Sequence, residues 1–531
     1  MRISSLLHRL QSPVTPPVLF FLSVLIAMVC GVSPGQDANW DLRNYHYYNI
    51  HAWLNGRYDI DIAPAQIQTW HNPTGDIPYY AFVTMGMPSW LFTALLSIPA
   101  GIALYFLARL FQTLMPTTRS NVVTISLLLV GVSGAAGSAV IGTTMSEWHT
   151  TALFLAALWV LLGPPKANHA EWRPFLIAGL LGGAAVGLKL TGAVCAMGLA
   201  AFVLALPGSF AQRFKRVTAL ALGGVTAAVV VYFPWGWFVY QRLENPFFPY
   251  FNNIFHSPYA DFVDYADGRF AKRSVAAILA LPAKVAAENV SYVTEIAMRD
   301  WRLALGFPAL AYLAFAAKNT AQQPLWRALS GFFLLSFMSW AYFSGIYRYA
   351  GAQELLASLA IVAACASIRN IGGTLLVVIV SASLLASTIH PDWNRLAHGR
   401  AAVRAPLPSL PRDSMVVMAT SSPLSYIVPN LPSTTSVVSL VNNFMGQQEP
   451  ASTLFRLALT RIQAHRGSLW LLTNPNTRDE KTYLGVPLAS VIARAGLVVD
   501  YNQCKLFQTA LDGALGFCPI AVSPPAKSPA P

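Results

Sequence analysis

The sequence predicts a mainly α-helical, polytopic membrane protein with about eleven spans and a small α/β domain at its C-terminus. Of its 531 residues, 55% are hydrophobic and 11% are charged, whereas soluble domains carry about 25% charged residues. Apolar runs of roughly 15–24 residues, long enough to cross a bilayer, recur as far as residue 388. Shorter runs of strand length follow after His390. These observations together predict a helical membrane module followed by a polar domain.

The apolar runs give the predicted spans in order. The run 174–206 is too long for one span, and the GLKLTG stretch around Lys189 divides it into two. The stretch SVAAILALPAKVAAENV is apolar on one side and carries Lys284 and Glu288 on the other, which predicts an interfacial helix. The predicted spans are 17–33, 80–107, 121–141, 148–162, two within 174–206, 217–240, 303–317, 326–343, 350–367 and 371–388.

Charge predicts the orientation of these spans. With a cytoplasmic N-terminus, the short inner connections carry Lys and Arg, while nearly all acidic residues before His390 fall on the outside. Arg2 and Arg9 before the first run also fit a cleaved signal peptide, but the many later spans favour a retained anchor. The net charge of +13 is therefore explained by Lys and Arg residues that set the orientation of the spans. Since no basic run exceeds RFKR at 213–216, a nucleic-acid partner is not expected.

The predicted domains follow from this topology. Residues 1–389 form the membrane module, with large outer loops at 34–80 and 244–302, and residues 390–520 form an extracytoplasmic α/β domain. Its predicted strands are SMVVMAT, TSVVSL, SLWLLTN and LVVDYN, with a helix over 452–465. The Pro- and Ser-rich tail 521–531 is expected to be disordered. Outside the cytoplasm Cys504 and Cys518 are expected to form a disulfide, with two unpaired thiols as the alternative.

The first outer loop is rich in carboxylates and aromatic residues, and it carries the first candidate site. Asp41 follows the first span by a few residues, at the depth where a lipid phosphate and a water-borne acceptor can meet. Asp37 is close enough in sequence to share a proton or a metal ion with Asp41. A solvated loop carboxylate or a helix N-cap is the alternative for Asp41.

The tight turn GTTMSEWHT carries the second candidate pair. Glu147 and His149 stand at the end of an apolar span, where a carboxylate and an imidazole can bind a metal ion or an acceptor. Ser146 and Glu147 also suit the start of a helix, so capping is the alternative function.

Two cations are candidates for binding an anion. Lys189 lies between apolar residues, and an intramembrane Lys is costly unless it has a function or extends to the membrane surface. Arg348 lies at the outer face beside Tyr347, and its guanidinium matches phosphate in a bidentate way. An ion pair with Glu354 is the alternative for Arg348.

Nucleotide-binding signatures are missing from the sequence. It contains neither a phosphate loop nor GxGxxG after a predicted strand. A nucleotide cofactor is therefore not expected, and the donor of a transfer reaction would not be a soluble nucleotide bound in a Rossmann domain.

The stretches WDLRNYHYY, NPTGDIPYY, GLKLTG, NPFFPYFNN and YRY resemble bacterial membrane proteins of the GT-C superfamily of glycosyltransferases. The resemblance implies that Asp41, and less directly Asp37, acts as catalytic base or orients the acceptor. It implies that Glu147 helps to bind the acceptor or, with Asp41, a divalent cation such as Mg²⁺ or Mn²⁺, although His149 replaces the usual second carboxylate. It also implies that Arg348 and Lys189, with Tyr347, bind the lipid phosphate.

The resemblance implies inverting transfer of a sugar from a polyprenyl-phosphate donor to a hydroxyl of a glycan, lipid or protein. The reaction would occur at the periplasmic face of a bacterial inner membrane. The competing hypothesis is a transporter or flippase for a lipid-linked or anionic solute, which broken helices and an intramembrane Lys also suit. Large outer loops and minimal inner ones favour the enzyme, either a simple glycosyltransferase or a polymerase or ligase of surface polysaccharide.

Overall fold

The chain forms two compact units, each discontinuous in sequence. Unit 1 combines Met1–Gly35, Thr93–Phe233 and Asp267–Trp393, and unit 2 combines Gln36–Phe92, Pro234–Ala266 and Asn394–Pro531. The sequence grouped the first outer loop with the helical module, whereas the structure groups it with the C-terminal segment. The computed structural model describes residues 14–118, 120–163, 171–288, 291–316, 322–368, 371–400, 402–403, 405–420, 422–441, 452–474, 481 and 485–523.

Helices dominate the described part of the chain. They are, in chain order, α1 (Pro16–Val32), α2 (Tyr48–Leu54), α3 (Ile77–Thr84), α4 (Ser89–Leu96), α5 (Ile98–Leu114), α6 (Asn121–Val132), α7 (Ala135–Ser138), α8 (Glu147–Leu162), α9 (Arg173–Leu188), α10 (Ala193–Ala205), α11 (Phe210–Leu243), α12 (Asn252–Phe255), α13 (Val275–Ala287), α14 (Arg302–Ala311), α15 (Gln323–Phe343), α16 (Gly351–Ala366), α17 (Ile371–Ser387), α18 (Thr453–Ala464) and α19 (Leu488–Arg494).

The predicted spans all fall on helices. Three helical stretches, Ser89–Leu114, Phe210–Leu243 and Tyr347–Ala366, are long and apolar enough to cross a membrane. Eight further apolar helices of the described ranges have 10–17 residues, and α15 has 21 residues. The number of spans therefore stays a prediction. Helix α13 lies where the interfacial helix was predicted.

Within the described residues, helix breaks interrupt three predicted apolar runs, which are 80–107, 121–141, where α6 ends at Val132, and 174–206. The predicted break at Lys189 is present, because α9 ends at Leu188 and Lys189 is extended at φ −148° and ψ 113°. A second break divides the predicted span 80–107. There Gly86 adopts φ +70°, a conformation that suits only glycine well, and Pro88 has no N–H group to continue a helix.

Glycines set the closest helix contact of unit 1. A Cβ atom on Gly183 would lie 2.0 Å from the carbonyl oxygen of Gly224, and one on Gly179 would lie 2.1 Å from that of Leu220. Helices α9 and α11 therefore touch backbone to backbone, as small residues allow between membrane helices.

A buried ion-pair cluster connects four helices of unit 1. Arg302 and Asp300 have no exposed side-chain surface and are 2.9 Å apart. The same Asp300 oxygen, Oδ2, also accepts from the Ala135 N–H at 2.8 Å. Glu354 accepts from the N–H groups of Ala136 and Gly137 at 2.7 and 3.0 Å. Because these hydrogen bonds replace water, the buried charges tie α7, α14 and α16 together, and Arg302 also donates to Thr388 beyond α17.

Unit 2 contains a mixed six-stranded sheet. Its strand order is β4–β3–β5–β8–β6, with β7 also paired to β8. Strands β3, β4 and β5 are parallel, and β6, β7 and β8 are antiparallel to their partners. The strands of the chain are β1 (Gln36–Asp37), β2 (Arg395–Leu396), β3 (Met415–Met418), β4 (Ser436–Ser439), β5 (Leu469–Thr473), β6 (Leu497–Val499), β7 (Lys505–Thr509) and β8 (Gly513–Val522).

The four predicted strands and the helix α18 are present. Strands β7 and β8 were not predicted. Strand β8 runs two residues into the predicted tail, and residues 524–531 lie outside the described residues. Cys504, just before β7, is joined by a disulfide to Cys518 on β8. This bond therefore crosslinks two neighbouring strands.

The first outer loop is bonded into the sheet of unit 2. Ile62 continues the sheet beyond β4 through a parallel bridge to Val438. Arg57 donates to both oxygens of Asp61 at 2.9 and 2.7 Å, and it also donates to the carbonyl of Thr435 at 2.7 Å. The loop thus has a fixed conformation within unit 2.

Candidate functional site

The candidate site of unit 1 is a cleft where three helices begin. Glu147 opens α8, Lys189 occupies the break after α9, and Arg348 lies in the 3-10 turn Tyr347–Ala350 before α16. The cleft is also lined by Gly192 and Cys195, around the start of α10. Three residues that are distant in sequence therefore meet, because each lies at the start or end of a helix and these helix ends are close together.

Glu147 lies between two cations. Lys189 Nζ donates to Glu147 Oε1 at 2.7 Å, and Arg348 Nε lies 3.3 Å from the same oxygen. The other oxygen, Oε2, is buried and accepts no hydrogen bond from the part of the chain that the structure describes. The site thus carries two positive charges against one partly satisfied carboxylate.

Aromatic rings support both cations. Lys189 Nζ lies 5.1 Å from the ring centre of Tyr349, and the Arg348 guanidinium lies 5.3 Å from the same ring. On its other side Arg348 lies 5.4 Å from the ring of Trp393. These distances are within the range of cation–π attraction, which holds the two cations at the cleft.

Helix dipoles add to the positive potential. The cleft is lined by residues of the first turn of α8, α10 and α16. A helix N-terminus carries about half a positive charge and binds anions. Three N-termini, Lys189 and Arg348 together make this cleft suited to an anion.

The cleft is nearly filled by its own side chains. Its free volume is about 10 Å³, which is room for about one water molecule. Glu147 therefore occupies the position between the cations that an anionic ligand would need.

The charge of Arg348 also affects Asp267 of unit 1. Burial raises the pKa of Asp267, but hydrogen bonds from Arg269 and the charges of Arg269 and Arg348 lower it by more, so this pKa is below its usual value. Asp267 is therefore ionised near neutral pH and attracts Arg348 from outside the cleft.

Three sequence-predicted residues meet in the cleft, and two others do not. Glu147, Lys189 and Arg348 line it, whereas His149 and Tyr347 are not among its lining residues within the described ranges. His149 Nδ1 is buried. Tyr347 is 1% exposed and packs against Trp340 with ring centres 6.1 Å apart.

Tyr349, which was not among the predicted site residues, takes the position expected of Tyr347. The two tyrosines flank Arg348 in a 3-10 turn, so their side chains leave the backbone in different directions. The YRY motif therefore located the aromatic partner of Arg348 to within two residues.

The contacts of Ser146 and Glu354 bear on the alternative functions predicted for Glu147 and Arg348. Ser146 makes no side-chain cap to α8, so the predicted capping pair is not formed. The carboxylate of Glu354 accepts from backbone N–H groups of α7, and Arg348 faces Glu147.

The residues around Glu147 do not suit a divalent cation. Mg²⁺ and Mn²⁺ need several oxygen ligands, whereas Glu147 Oε1 is already bound to Lys189 and close to Arg348. Nowhere in the described residues do three or more His, Cys, Asp or Glu side chains form a group that could hold a metal ion.

Asp37 and Asp41 lie in unit 2, in a short well-bonded segment. Asp37 lies opposite Arg395 in the β1–β2 pair, and its Oδ1 accepts from the Asn39 N–H at 3.0 Å. Asp41 precedes the π-helical turn Leu42–His46, makes no capping hydrogen bond to it and is 9% exposed. Asp37 is thus a turn-forming residue, while Asp41 is the more exposed carboxylate of the two.

Histidines of the first outer loop have specific partners that sequence reasoning did not identify. His46 Nδ1 lies 2.6 Å from Asp76 Oδ1 with both side chains buried. His71 Nε2 lies 2.6 Å from the hydroxyl of Tyr250. These contacts hold the loop together, and residue spacing gave no signal for them.

His51 is neutral at physiological pH. Burial, and next the positive charge of Arg57, lower the pKa of His51 to about 4. Its Nδ1 lies 3.2 Å from the Tyr80 hydroxyl. His51 therefore contributes a hydrogen bond and not a charge.

Comparison with known proteins gives a distant structural similarity. No protein-family model matches the sequence, and no curated protein matches it. Among solved structures, ArnT from Cupriavidus metallidurans bound to undecaprenyl phosphate has 15% identity and a TM-score of 0.41, with 65% of this chain and 59% of that chain covered. Apo ArnT has 17% identity and a TM-score of 0.42, with 66% and 59% covered. The chain thus spans less than two thirds of the length of either structure.

Proposed function

We propose that this chain is a membrane glycosyltransferase of the GT-C superfamily that uses a polyprenyl-phosphate sugar as donor. The observation that carries the proposal is the meeting of Lys189 and Arg348 on one buried carboxylate oxygen. The acceptor is a hydroxyl of a glycan, lipid or protein, and the reaction takes place at the periplasmic face of a bacterial inner membrane.

The chemistry of the cleft favours phosphate as its ligand. Arg offers a planar pair of donors to phosphate oxygens, and Lys adds a mobile point charge. Apolar helices surround the site, so its ligand is expected to carry a hydrocarbon chain in the bilayer. A lipid phosphate combines both properties.

In the proposed step, the acceptor oxygen attacks the anomeric carbon of the donor sugar. The bond between that carbon and the phosphate oxygen breaks, and the lipid phosphate leaves with the bonding electron pair. The acceptor proton goes to the carboxylate of Asp41, which acts as general base. Lys189 and Arg348 stabilise the negative charge of the departing lipid phosphate.

Glu147 has a separate function in this proposal. Its carboxylate keeps Lys189 and Arg348 in place between turnovers and moves aside when the lipid phosphate arrives. No step is assigned to a divalent cation, because Glu147 already has two cationic partners.

Sugar transfer by the purified full-length chain in liposomes tests the proposal. The donors are a panel of radiolabelled polyprenyl-phosphate monosaccharides, and the acceptors come from a bacterial membrane and periplasmic extract. We expect labelled product and released polyprenyl phosphate with at least one donor. Asp41→Asn should abolish transfer, whereas Asp59→Asn, an exposed carboxylate of the same loop, should not.

Lys189→Gln tests the phosphate site separately. We expect loss of transfer and of the farnesyl phosphate binding that the cleft provides, with Lys284→Gln on the exposed face of α13 as the matched control. Full activity of Asp41→Asn would reject Asp41 as the base. Exchange of a labelled lipid-linked solute across the liposome membrane without any transfer product would reject the enzyme in favour of a carrier.

A further inference from the structure

Unit 2 contains a second cavity that the proposed reaction does not use. It measures about 210 Å³, below the roughly 300–1,000 Å³ typical of pockets that enclose a whole small molecule. Its apolar wall includes Val83, Met87, Phe92 and Val403, and Tyr47 and Arg400 supply polar groups. The cavity is thus sized for one part of a larger ligand.

Hydrogen bonds fix the walls of this cavity. Ser89 donates from its N–H to the Gly399 carbonyl at 2.9 Å, and the Gly399 N–H donates to Ser89 Oγ at 2.8 Å. Asn430 donates to the carbonyl of Val403 at 3.4 Å. The segment that carries Arg400 is therefore attached to the start of α4, so the cavity is built into the fold of unit 2.

The polar groups of the cavity suit an anion. Arg400 is its charged lining residue, and no carboxylate lines it within the described part of unit 2. Burial, and next the neighbouring Tyr80, raise the pKa of Tyr47 to about 12. Its hydroxyl therefore stays protonated and is available as a donor. An anionic group at Arg400 would face an apolar floor that includes the fully buried Phe92.

The chain around the cavity has the composition of a membrane interface. Ile77, Met85 and Trp90 are exposed by 46%, 70% and 53%. The apolar stretch Ser89–Leu114, which is long enough to cross a membrane, begins at this point. Exposed apolar and Trp side chains at the end of a span typically lie at the level of lipid headgroups. This position suits a ligand that reaches the cavity from the bilayer.

We propose that the Arg400 cavity binds a lipid phosphate, with the phosphate at Arg400 and the adjoining hydrocarbon over Val83, Met87 and Phe92. Arg matches phosphate oxygens in a bidentate way, and the apolar floor selects a phosphate that carries a chain. The proposal does not depend on sugar transfer or on Lys189 and Arg348.

Native mass spectrometry of the full-length chain in a neutral detergent tests this proposal. The probes are dioctanoyl phosphatidylglycerol, farnesyl phosphate and inorganic phosphate. All measurements are made in a Lys189→Gln background, so that the phosphate site of unit 1 does not contribute. Arg400→Gln is compared with Arg412→Gln, which removes another exposed arginine of unit 2. Val83→Trp fills the cavity while Arg400 stays in place.

We expect at least one of the two lipids to bind. Arg400→Gln should weaken its binding about tenfold, Val83→Trp should abolish it, and Arg412→Gln should leave it unchanged. The lipid that binds identifies the source as a bilayer phospholipid or a polyprenyl lipid. Thermal unfolding of each variant shows that the fold is retained.

Three results would overturn the proposal. The first is that neither lipid binds, and the second is that lipid binding is the same in Arg400→Gln and Arg412→Gln. The third is inorganic phosphate binding as tightly as the lipids, which would assign the cavity to a free anion. The two proposals are tested separately. Transfer by the Lys189→Gln variant bears only on the proposed function, and the dependence of lipid binding on Arg400 bears only on this cavity.

Discussion

Two ion-pair clusters of unit 1 contain the same kinds of charged side chain. They differ in how completely their polar atoms are hydrogen-bonded. The buried cluster consists of Asp300, Arg302 and Glu354. The cleft cluster consists of Glu147, Lys189 and Arg348. Each joins helices that are distant in sequence, and the side chains of the cleft cluster line the cleft.

The buried cluster has partners on all sides. Both of its carboxylates accept from backbone N–H groups at the start of α7. Arg302 donates to Asp300, the Val130 carbonyl and the Ser133 hydroxyl. Its three charged side chains have no exposed surface. A group so fully bonded cannot exchange a partner for a ligand without a large cost in free energy.

The cleft cluster is less completely bonded. The side chains of Lys189 and Arg348 are 19% and 13% exposed, and Glu147 Oε2 has no hydrogen-bond partner in the described residues. Exchanging a hydrogen-bond partner for a ligand therefore costs less free energy in the cleft cluster. We assign a structural function to the buried cluster and ligand binding to the cleft cluster.

The largest expected effect comes from breaking the buried cluster. Arg302→Met leaves Asp300 buried without its charged partner, which typically costs about 3–5 kcal/mol. We expect a strong fall in the thermal unfolding temperature of the detergent-solubilised chain, or failure to recover folded protein. Arg273→Met, which removes an exposed arginine of unit 1, is the control. Equal unfolding temperatures for the two variants would contradict the structural function of the buried cluster.

The next effect should appear in binding and not in stability. Arg348→Gln removes one cation from the cleft, and we expect farnesyl phosphate binding to weaken about tenfold or more. The free energy of unfolding should fall less than in Arg302→Met, because Lys189 still pairs with Glu147 after the substitution. Arg348→Lys should restore only part of the binding, since Lys lacks the planar pair of donors. Unchanged binding together with a large loss of stability would reverse the assignment of the two clusters.

A smaller effect tests whether Glu147 competes with the ligand. In Glu147→Gln the neutral amide no longer pairs with both cations, so we expect farnesyl phosphate to bind a few times more tightly, by about 1 kcal/mol. The unfolding temperature should fall slightly, because Lys189 and Arg348 lose their shared counter-charge. Weaker binding in this variant would show that Glu147 holds the ligand and does not occupy its place.

Much of the fold followed from the sequence because hydrophobic patterning is local. The break at Lys189 agrees with one isolated cation between apolar residues, whereas the predicted spans 80–107 and 121–141 are each divided between helices. Strand β8 was not predicted, because Gly513, Gly516 and Pro519 interrupt its alternation of side chains. The assignment of the first outer loop to unit 2 depends on long-range pairs such as Ile62 with Val438, which no local pattern contains.

The candidate site was predicted residue by residue but not as an assembly. Glu147, Lys189 and Arg348 each stood out as a charge at the end of an apolar run. Their meeting depends on helix packing over 42 or more residues. The buried cluster was not predicted, because Asp300 and Arg302 resemble ordinary interface charges when their burial is unknown. The base function of Asp41 stays a prediction.

The last expected effect concerns unit 2. It tests whether the first outer loop or the ion-pair clusters make the fold sensitive to acid. The pKa of His51 is lowered from 6.5 to about 4 in the folded chain by burial and by Arg57. At neutral pH the imidazole is neutral in both folded and unfolded chains. As the pH falls from 6.5 towards 4, the unfolded chain binds a proton that the folded chain does not, so the free energy of unfolding decreases. We expect His51→Gln to reduce this decrease between about pH 7 and about pH 5, measured by thermal unfolding. His256→Asn, at an exposed position of the same unit, is the control. A pH dependence that is unchanged in His51→Gln would place the acid sensitivity elsewhere in the chain, with the two ion-pair clusters as the next groups to examine.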